Sequence, residues 1–363
     1  MPASPINALT DRRVLNRTVN KRIKPYTALT NLIFPPSTKN NLFEEVAQID
    51  VLEGTYGMAP FVKVGQNAVI MDALNGTSYT VATPFINIKR PLKWSTRFAK
   101  RMAGQTVFTN ADQARAMIRD AQEKDMDMLN TLIDDRIEWM IAKILTGEIS
   151  YSVEGQDSFI INVGKPAGNT FSVPYAWAGG SATPSEDIRT MKGVVAAVRG
   201  PIPNIGIMRA TAATAFRAMI VGTGELVAQI KTTAGVLTAE RLNLLSRFKE
   251  DGMIPMGNFG DIEFFEYTGT FNPDDGGAAE VLIRTDYIEF FSDSQRSVDA
   301  RELMFGSIPD LRAILAGLHV TERYVDVDPP KFDQGTYQAL IMTRPLPWLY
   351  RPDWQVSMKV TNI

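Results

Sequence analysis

The chain has 363 residues, 45% of them hydrophobic and 21% charged, with a formal net charge of -2. That length carries a substantial core, as one large or two moderate domains, and the near-neutral balance speaks against wholesale nucleic-acid binding. Cysteine is absent and His319 is the single histidine, which excludes disulfides, zinc-thiolate sites and cysteine nucleophiles and makes Ser-His-Asp chemistry or a multi-histidine metal site hard to build.

The first residues lack the apolar stretch of a signal peptide, and no run approaches the roughly 20 apolar residues of a membrane span; the expectation is a soluble protein made in a cytoplasm. Residues 1–40 carry Arg12, Arg13, Arg17, Lys21, Arg22, Lys24 and Lys39 against one acid, Asp11, with five prolines among them. They read as an extended or partly helical arm, and "TALTNLIFPP" adds apolar anchors that want a protein surface.

From Ala59 to Trp94, two runs rich in Val, Ile, Thr and aromatics flank Asn75-Gly76. That dipeptide suits a type I′ turn, whose two centres need positive φ, so the spacing predicts a long β-hairpin with Asn75 and Gly76 at its tip. A two-stranded hairpin is marginal alone in water; it docks on its own domain or lies across a neighbouring molecule.

A helix is predicted from Ala111 to Thr146. Asn110 can cap it with Gln113 reaching back, and Gly147 is its natural stop. Met126, Leu129, Ile133, Ile137, Ile141 and Leu145 recur at the helical period, with Leu132, Met140 and Ile144 widening the stripe. Asp125, Asp127, Asp134, Asp135 and Glu138 on the same helix raise the thought of a metal site. Asp125 and Asp127 diverge by about 200° around the axis, however, and a solvated acidic face is the expectation.

Beyond Glu148 the text turns to β patterns, "SFIINV" and "NTFSVPYAWAGG", and a mixed region follows from Ser185 to Leu318. "SEDIRTMKGVVAAV", "TAATAFRAMI" and "TAERLNLLSRF" read as helices, with "NIGIMR" as a strand. "DIEFFEYTGTF" and "VLIRTDYIEFF" read as strands joined by the turn-rich "NPDDGG". The tail from Tyr337 reads as two more strands separated by prolines, which cannot donate to a central ladder. The motifs of chemistry are weak: Gly222 and Gly224 are half a dinucleotide fingerprint, and His319 is expected to be a satisfied structural histidine. The fold class is α+β; no catalytic, cofactor-binding or metal-ligating residue is assigned, and the protein is not read as an enzyme.

The order of parts carries a resemblance. "NLIFPPSTKNNLFEEVAQIDVLEGTYGMAPFVKVG", "FINIKRPLKW", "GDIEFFEYTGTFNPDDGG" and "TYQALIMTRPLPWLYRPDWQVSMKV" fall in sequence along the chain, and together they resemble the lambda-type major capsid protein E family, with the Hong Kong 97-type fold of tailed-phage shell proteins. The resemblance implies an N-terminal arm (1–45), an E-loop hairpin with flanks (46–94), a peripheral domain with its spine helix (95–184), an axial domain (185–320) and C-terminal strands returning to the peripheral domain (321–363).

It also implies a function: a major capsid protein of a tailed double-stranded DNA phage, assembled in the host cytoplasm into the virion shell. Its partners would be copies of itself in hexamers and pentamers, with a decoration protein, scaffold and portal as further partners, and no membrane. The DNA inside is enclosed without sequence-specific binding. Asn75 and Gly76 in the hairpin and Arg12, Arg13 and Arg17 in the arm are the expected contacts between subunits. Two other readings stand beside it, an encapsulin-type nanocompartment shell and a metal-dependent hydrolase built on the acidic helix.

Overall fold

The computed structural model describes residues 28–53, 75–92, 111–151, 158–222, 252–271, 280–328 and 337–361. A short helix, α1 (Ala28–Ile33), precedes the long one, α2 (Ala111–Thr146). α2 has the bounds its apolar spacing predicts and runs roughly 54 Å at about 1.5 Å per residue. Gly147, at φ 101°, ends it in the left-handed conformation that a side chain resists. The expected stripe is buried with one exception. Leu132 is half exposed and belongs to the outer face, whereas the supposedly solvated Asp125 and Glu138 are buried.

Two three-stranded sheets belong with α2. In one, β14 (Arg301–Phe305) lies between β1 (Lys39–Asn41), parallel to it, and β17 (Pro345–Leu349), antiparallel. Pro345 and Pro347 are tolerated because β17 is an edge strand, where a missing N–H costs no ladder bond. In the other, β16 (Tyr337–Thr343) is central, flanked by β15 (Tyr324–Asp328) and β4 (Ile86–Leu92). β5 (Glu148–Tyr151) and β6 (Phe159–Asn162) form a hairpin directly after the helix.

A six-stranded sheet follows the order β7 (Thr170–Ser172), β18 (Val356–Lys359), β13 (Tyr287–Phe291), β8 (Ile205–Met208), β10 (Ile262–Tyr267), β9 (Met253–Phe259). It is a wall between two cores, because neighbouring residues of a strand face opposite ways. Met208 and Phe264 pack under α3 (Pro184–Ala197) and α4 (Ala210–Gly222) with Met191, Val195 and Phe216. Ile207 and Phe265 face the core that contains α2.

β11 (Thr270–Phe271) and β12 (Glu280–Val281) make the small hairpin expected around "NPDDGG", but "VLIRTDYIEFF" is two strands: β13 leaves β12 to pair with β8 and β18. The tail likewise holds three strands, and β18 joins the six-stranded sheet instead of returning to the helix with β16 and β17. Its hydrogen bonds go where both an antiparallel and a parallel neighbour are on offer. "TAERLNLLSRF" lies outside the described residues.

The expected hairpin is rearranged. β2 (Val46–Glu53) pairs antiparallel with β3 (Asn75–Ala82), so that Glu53 opposes Asn75 and Leu52 opposes Gly76. Asn75 and Gly76 are thus the first residues of a strand and do not form the turn. The dipeptide marks a reversal only when its flanking runs pair with each other. Here the downstream run, β4, is taken by β16 along its whole length from Ile86 to Leu92.

Candidate functional site

The described residues offer two built junctions, one that seats α1 and one at the root of the β2–β3 ribbon. The first holds α1. Ala28, Leu29, Ile33 and Phe34 are buried against the α2 core, which leaves the amide groups at the start of a six-residue helix without intrahelical partners. Glu138, 2% exposed on α2, supplies them. Its Oε1 accepts from Leu29 N (2.9 Å), and its Oε2 accepts from Thr30 N (3.0 Å) and Thr30 Oγ1 (2.8 Å). The Tyr267 hydroxyl donates to Oε1 as well (2.8 Å).

Burial pushes the Glu138 carboxyl above its ordinary range, and these four donors pull against that rise. The same burial and the adjoining carboxylate raise Tyr267 well above a free phenol. At the far end of α1, buried Arg301 donates through Nη1 to the Ile33 carbonyl (3.3 Å) and also holds the Ser292 carbonyl and the Ser297 hydroxyl. Desolvation lowers its guanidinium to about 10. An anion at the first turn and a cation at the last is the arrangement a helix dipole favours.

The second junction cinches the root of the β2–β3 ribbon. Arg344, between β16 and β17, donates to the Thr83 carbonyl through Nε (3.3 Å) and Nη2 (3.2 Å) and to the Ser307 carbonyl through Nη1 (3.3 Å). It also pairs with Glu45 at 3.0 Å. Thr83 donates its amide and hydroxyl to the Glu45 carbonyl (3.3 and 2.7 Å), and Ser307 N donates to Glu44 O (3.0 Å). The strand that enters the ribbon and the strand that leaves it are thereby tied to one guanidinium. Just beyond, Ala47 and Ile49 of β2 are buried in the α2 core, so the ribbon's root docks on its own body.

Three acids of α2, Asp125, Asp134 and Glu138, serve structure. Asp125 pairs with Arg90 of β4 (3.4 Å) and Asp134 with Arg323, which also donates to Asn130 (2.9 Å). Glu138 is committed to α1, and among the described residues no group of three or more His, Asp or Glu could hold a metal ion. His319 is half-buried; its Nδ1 has no hydrogen-bond partner among the described residues, so the expected satisfaction of that side chain is not met there. Among the described residues no helix is long and apolar enough to cross a membrane.

Of the contact residues expected from sequence, Asn75 and Gly76 stand at the outer end of β3, and Arg12, Arg13 and Arg17 lie outside the described residues. Sequence reasoning passed over Arg301 and Arg344 and set Glu138 on a solvated face, whereas it is buried. Glu138 left one signal, a lone acid inside the apolar run from Ile137 to Leu145.

Comparison with known proteins brings three results. Residues 11–360 match the family model described as phage major capsid protein E. A protein assigned as a prophage capsid protein from Escherichia coli superposes with a TM-score of 0.68 at 15% identity, covering 96% of this chain and 99% of that one. A phage-related protein from Bordetella bronchiseptica gives 0.51 at 13% identity, with 97% of each chain covered. No curated protein matches the chain.

Proposed function

The chain belongs to the phage major capsid protein E family and has the Hong Kong 97-type capsid fold, and from that premise we propose that its copies join as hexamers and pentamers into an icosahedral shell around the double-stranded DNA of a tailed phage. It is a major capsid protein, a structural subunit of the virion. The observation that best supports the assembly reading is the ribbon. Its strands leave the Arg344 clamp paired with each other from Val46–Ala82 to Glu53–Asn75, and among the described residues no third strand joins them.

Two strands alone bury too little to hold themselves. A segment clamped at its base and, among the described residues, paired with no third strand suits a partner surface, and for a shell subunit that surface is the next copy. Asn75 and Gly76 at the outer end of β3, and Arg12, Arg13 and Arg17 in the preceding arm, are the contacts this reading assigns. Obligate interfaces of this kind bury on the order of thousands of Å². A near-neutral wall keeps the enclosed DNA from sticking to it. Assembly in the host cytoplasm with a scaffold, a portal and a decoration protein completes the reading. A nanocompartment would share the fold, whereas the family match is to phage capsid proteins.

The test uses the paired ends of the ribbon. Because Glu53 opposes Asn75, residues 54–74 can be replaced by a two-residue Asn-Gly turn without moving either strand. The expected variant is folded, with the far-UV spectrum of its parent, and electron microscopy shows open or no particles where the parent forms closed ones. Closed particles of normal size from the shortened chain would remove residues 54–74 from assembly, and a parent that stays monomeric at high concentration would remove the shell.

A further inference from the structure

Apolar packing holds α2 against the inner face of the six-stranded sheet, but burial has no direction and leaves the angle between them soft. Hydrogen bonds are directional, and two buried sets of them cross this boundary. One is the Glu138–Tyr267 bond, which joins the last third of α2 to the last residue of β10. The other is built on Lys165, from the loop after β6. Its buried ammonium donates to the Leu145 carbonyl in the last turn of α2 (2.9 Å) and to Ser357 Oγ on β18 (2.6 Å), and it lies 3.9 Å from the Glu289 carboxylate on β13.

Glu289 is buried too. It takes the Ser357 hydroxyl on one oxygen and Arg284 (2.6 Å) on the other, so one carboxylate faces two cations. Two glycines make room. A Cβ at Gly147 would come 2.9 Å from the Lys165 Cβ, and one at Gly269 would run into the Tyr267 ring.

Glu138 and Leu145 are about two turns, or roughly 10 Å, apart on the helix. Their landing strands, β10 and β18, are separated by β8 and β13, about 14 Å across the sheet at the usual strand spacing. Two fixed points on each body define a direction. We propose that Glu138 and Lys165 are positioning residues that set the angle of the long helix on the six-stranded sheet, and with it the curvature each subunit imposes on the shell. The second half rests on the shell reading above. Since the Glu138 carboxylate is shared with Leu29 and Thr30 of α1, seating the arm's root and setting the angle are one event.

The chain has no cysteine, so Thr131→Cys on the outer face of α2 and Asn258→Cys on β9 give a single spin-label pair per chain. Labelled chain is diluted with unlabelled chain so that only the distance within a subunit is read by pulsed dipolar spectroscopy. The parent is expected to give one narrow distance distribution. Tyr267→Phe or Lys165→Met, each of which removes polar atoms and keeps side-chain size, is expected to broaden and displace it, and to yield particles of altered or mixed diameter.

Unchanged distances in both variants overturn the proposal, even with a lowered unfolding midpoint, because the residues are then merely structural. A broadened distance with particles of parental diameter overturns the link to curvature. If Lys165→Met does not fold, Ser357→Ala, which loses one bond of the same tether, takes its place. A parent without closed particles sinks the shell reading instead, and the distances still decide the tethers.

Discussion

The six-stranded sheet, which mixes parallel and antiparallel pairs, and the antiparallel β2–β3 ribbon are held together in opposite ways. The sheet is covered on one face by α3 and α4 and on the other by the α2 core, and its strands bury Phe264, Phe290 and Ile288 completely enough to be stable within one subunit. The ribbon has a polar clamp at its root and, among the described residues, two fully buried apolar side chains, Ala47 and Ile49, just beyond it. The contrast separates what a subunit needs in order to fold from what it holds out to others. Variants in the first region should cost stability; variants in the second should cost assembly.

The largest effect belongs to the sheet. Phe264 is buried with its ring 4.6 Å from Phe216 and edge-on to Phe290 at 6.0 Å, and Phe264→Ala should destabilise the subunit by about 3–5 kcal/mol. Denaturant unfolding measures this, and a loss below about 1 kcal/mol would mean the wall is not the subunit's own scaffold. Next comes the root of the ribbon. Arg344→Met leaves the Thr83 and Ser307 carbonyls without their donor and frees Glu45, which is already half exposed, for about 1–3 kcal/mol. The sharper reading is local: limited proteolysis should open the chain between 46 and 82 while the sheet resists. Cleavage spread evenly over the molecule would erase the distinction between the regions.

The same contrast sorts what could be read from the sequence. α2 was legible to the residue because a period of 3.6 and a stopping glycine are local signals. The run after Gly76 reads as a strand but 46–53 does not, and the conspicuous Asn75-Gly76 sets the reversal between the runs on either side of it, whereas 75–82 pairs with 46–53. Arg344 had no local signal at all: its acceptor Thr83 is 261 positions away in the chain. Glu138 and Asp125 look like members of a wet acidic face until the elements that cover them, α1 and β4, are in place. Resemblance to a family supplied the order of parts, and long-range pairing decided which junctions carry them.

A smaller effect, distinctive in sign, comes from Glu138. Burial raises its carboxyl in the folded state above the ordinary 4.5, so between those two values the folded chain keeps a proton that the unfolded chain has lost. The resulting stabilisation is fully present below 4.5 and is lost as pH rises through the folded value. Glu138→Gln has no such titration. The unfolding midpoint of the natural chain should therefore gain on that of the variant as pH falls from neutral, against the usual trend for ion-paired acids. A gap that narrows on acidification would show that the four donors outweigh desolvation and would reverse the account of the arm's root.

The smallest effect on stability, and the most telling for the comparison, is expected at Phe43. It is 81% exposed although it stands between two residues pinned to the body: Leu42 N donates to the Phe305 carbonyl, and Glu44 O accepts from Ser307 N. A large ring held rigidly in water beside the ribbon's root does nothing for its own subunit, so Phe43→Ala should change unfolding free energy by less than about 0.5 kcal/mol. In the shell reading the ring is covered by another copy, and removing it should raise the concentration at which closed particles appear. Light scattering against concentration, run beside denaturant unfolding, reads both quantities from one preparation. A loss of more than about 1 kcal/mol would place the root of the ribbon with the self-sufficient part of the molecule. Unchanged stability with an unchanged assembly threshold would leave the clamp intact and take Phe43 out of the contact.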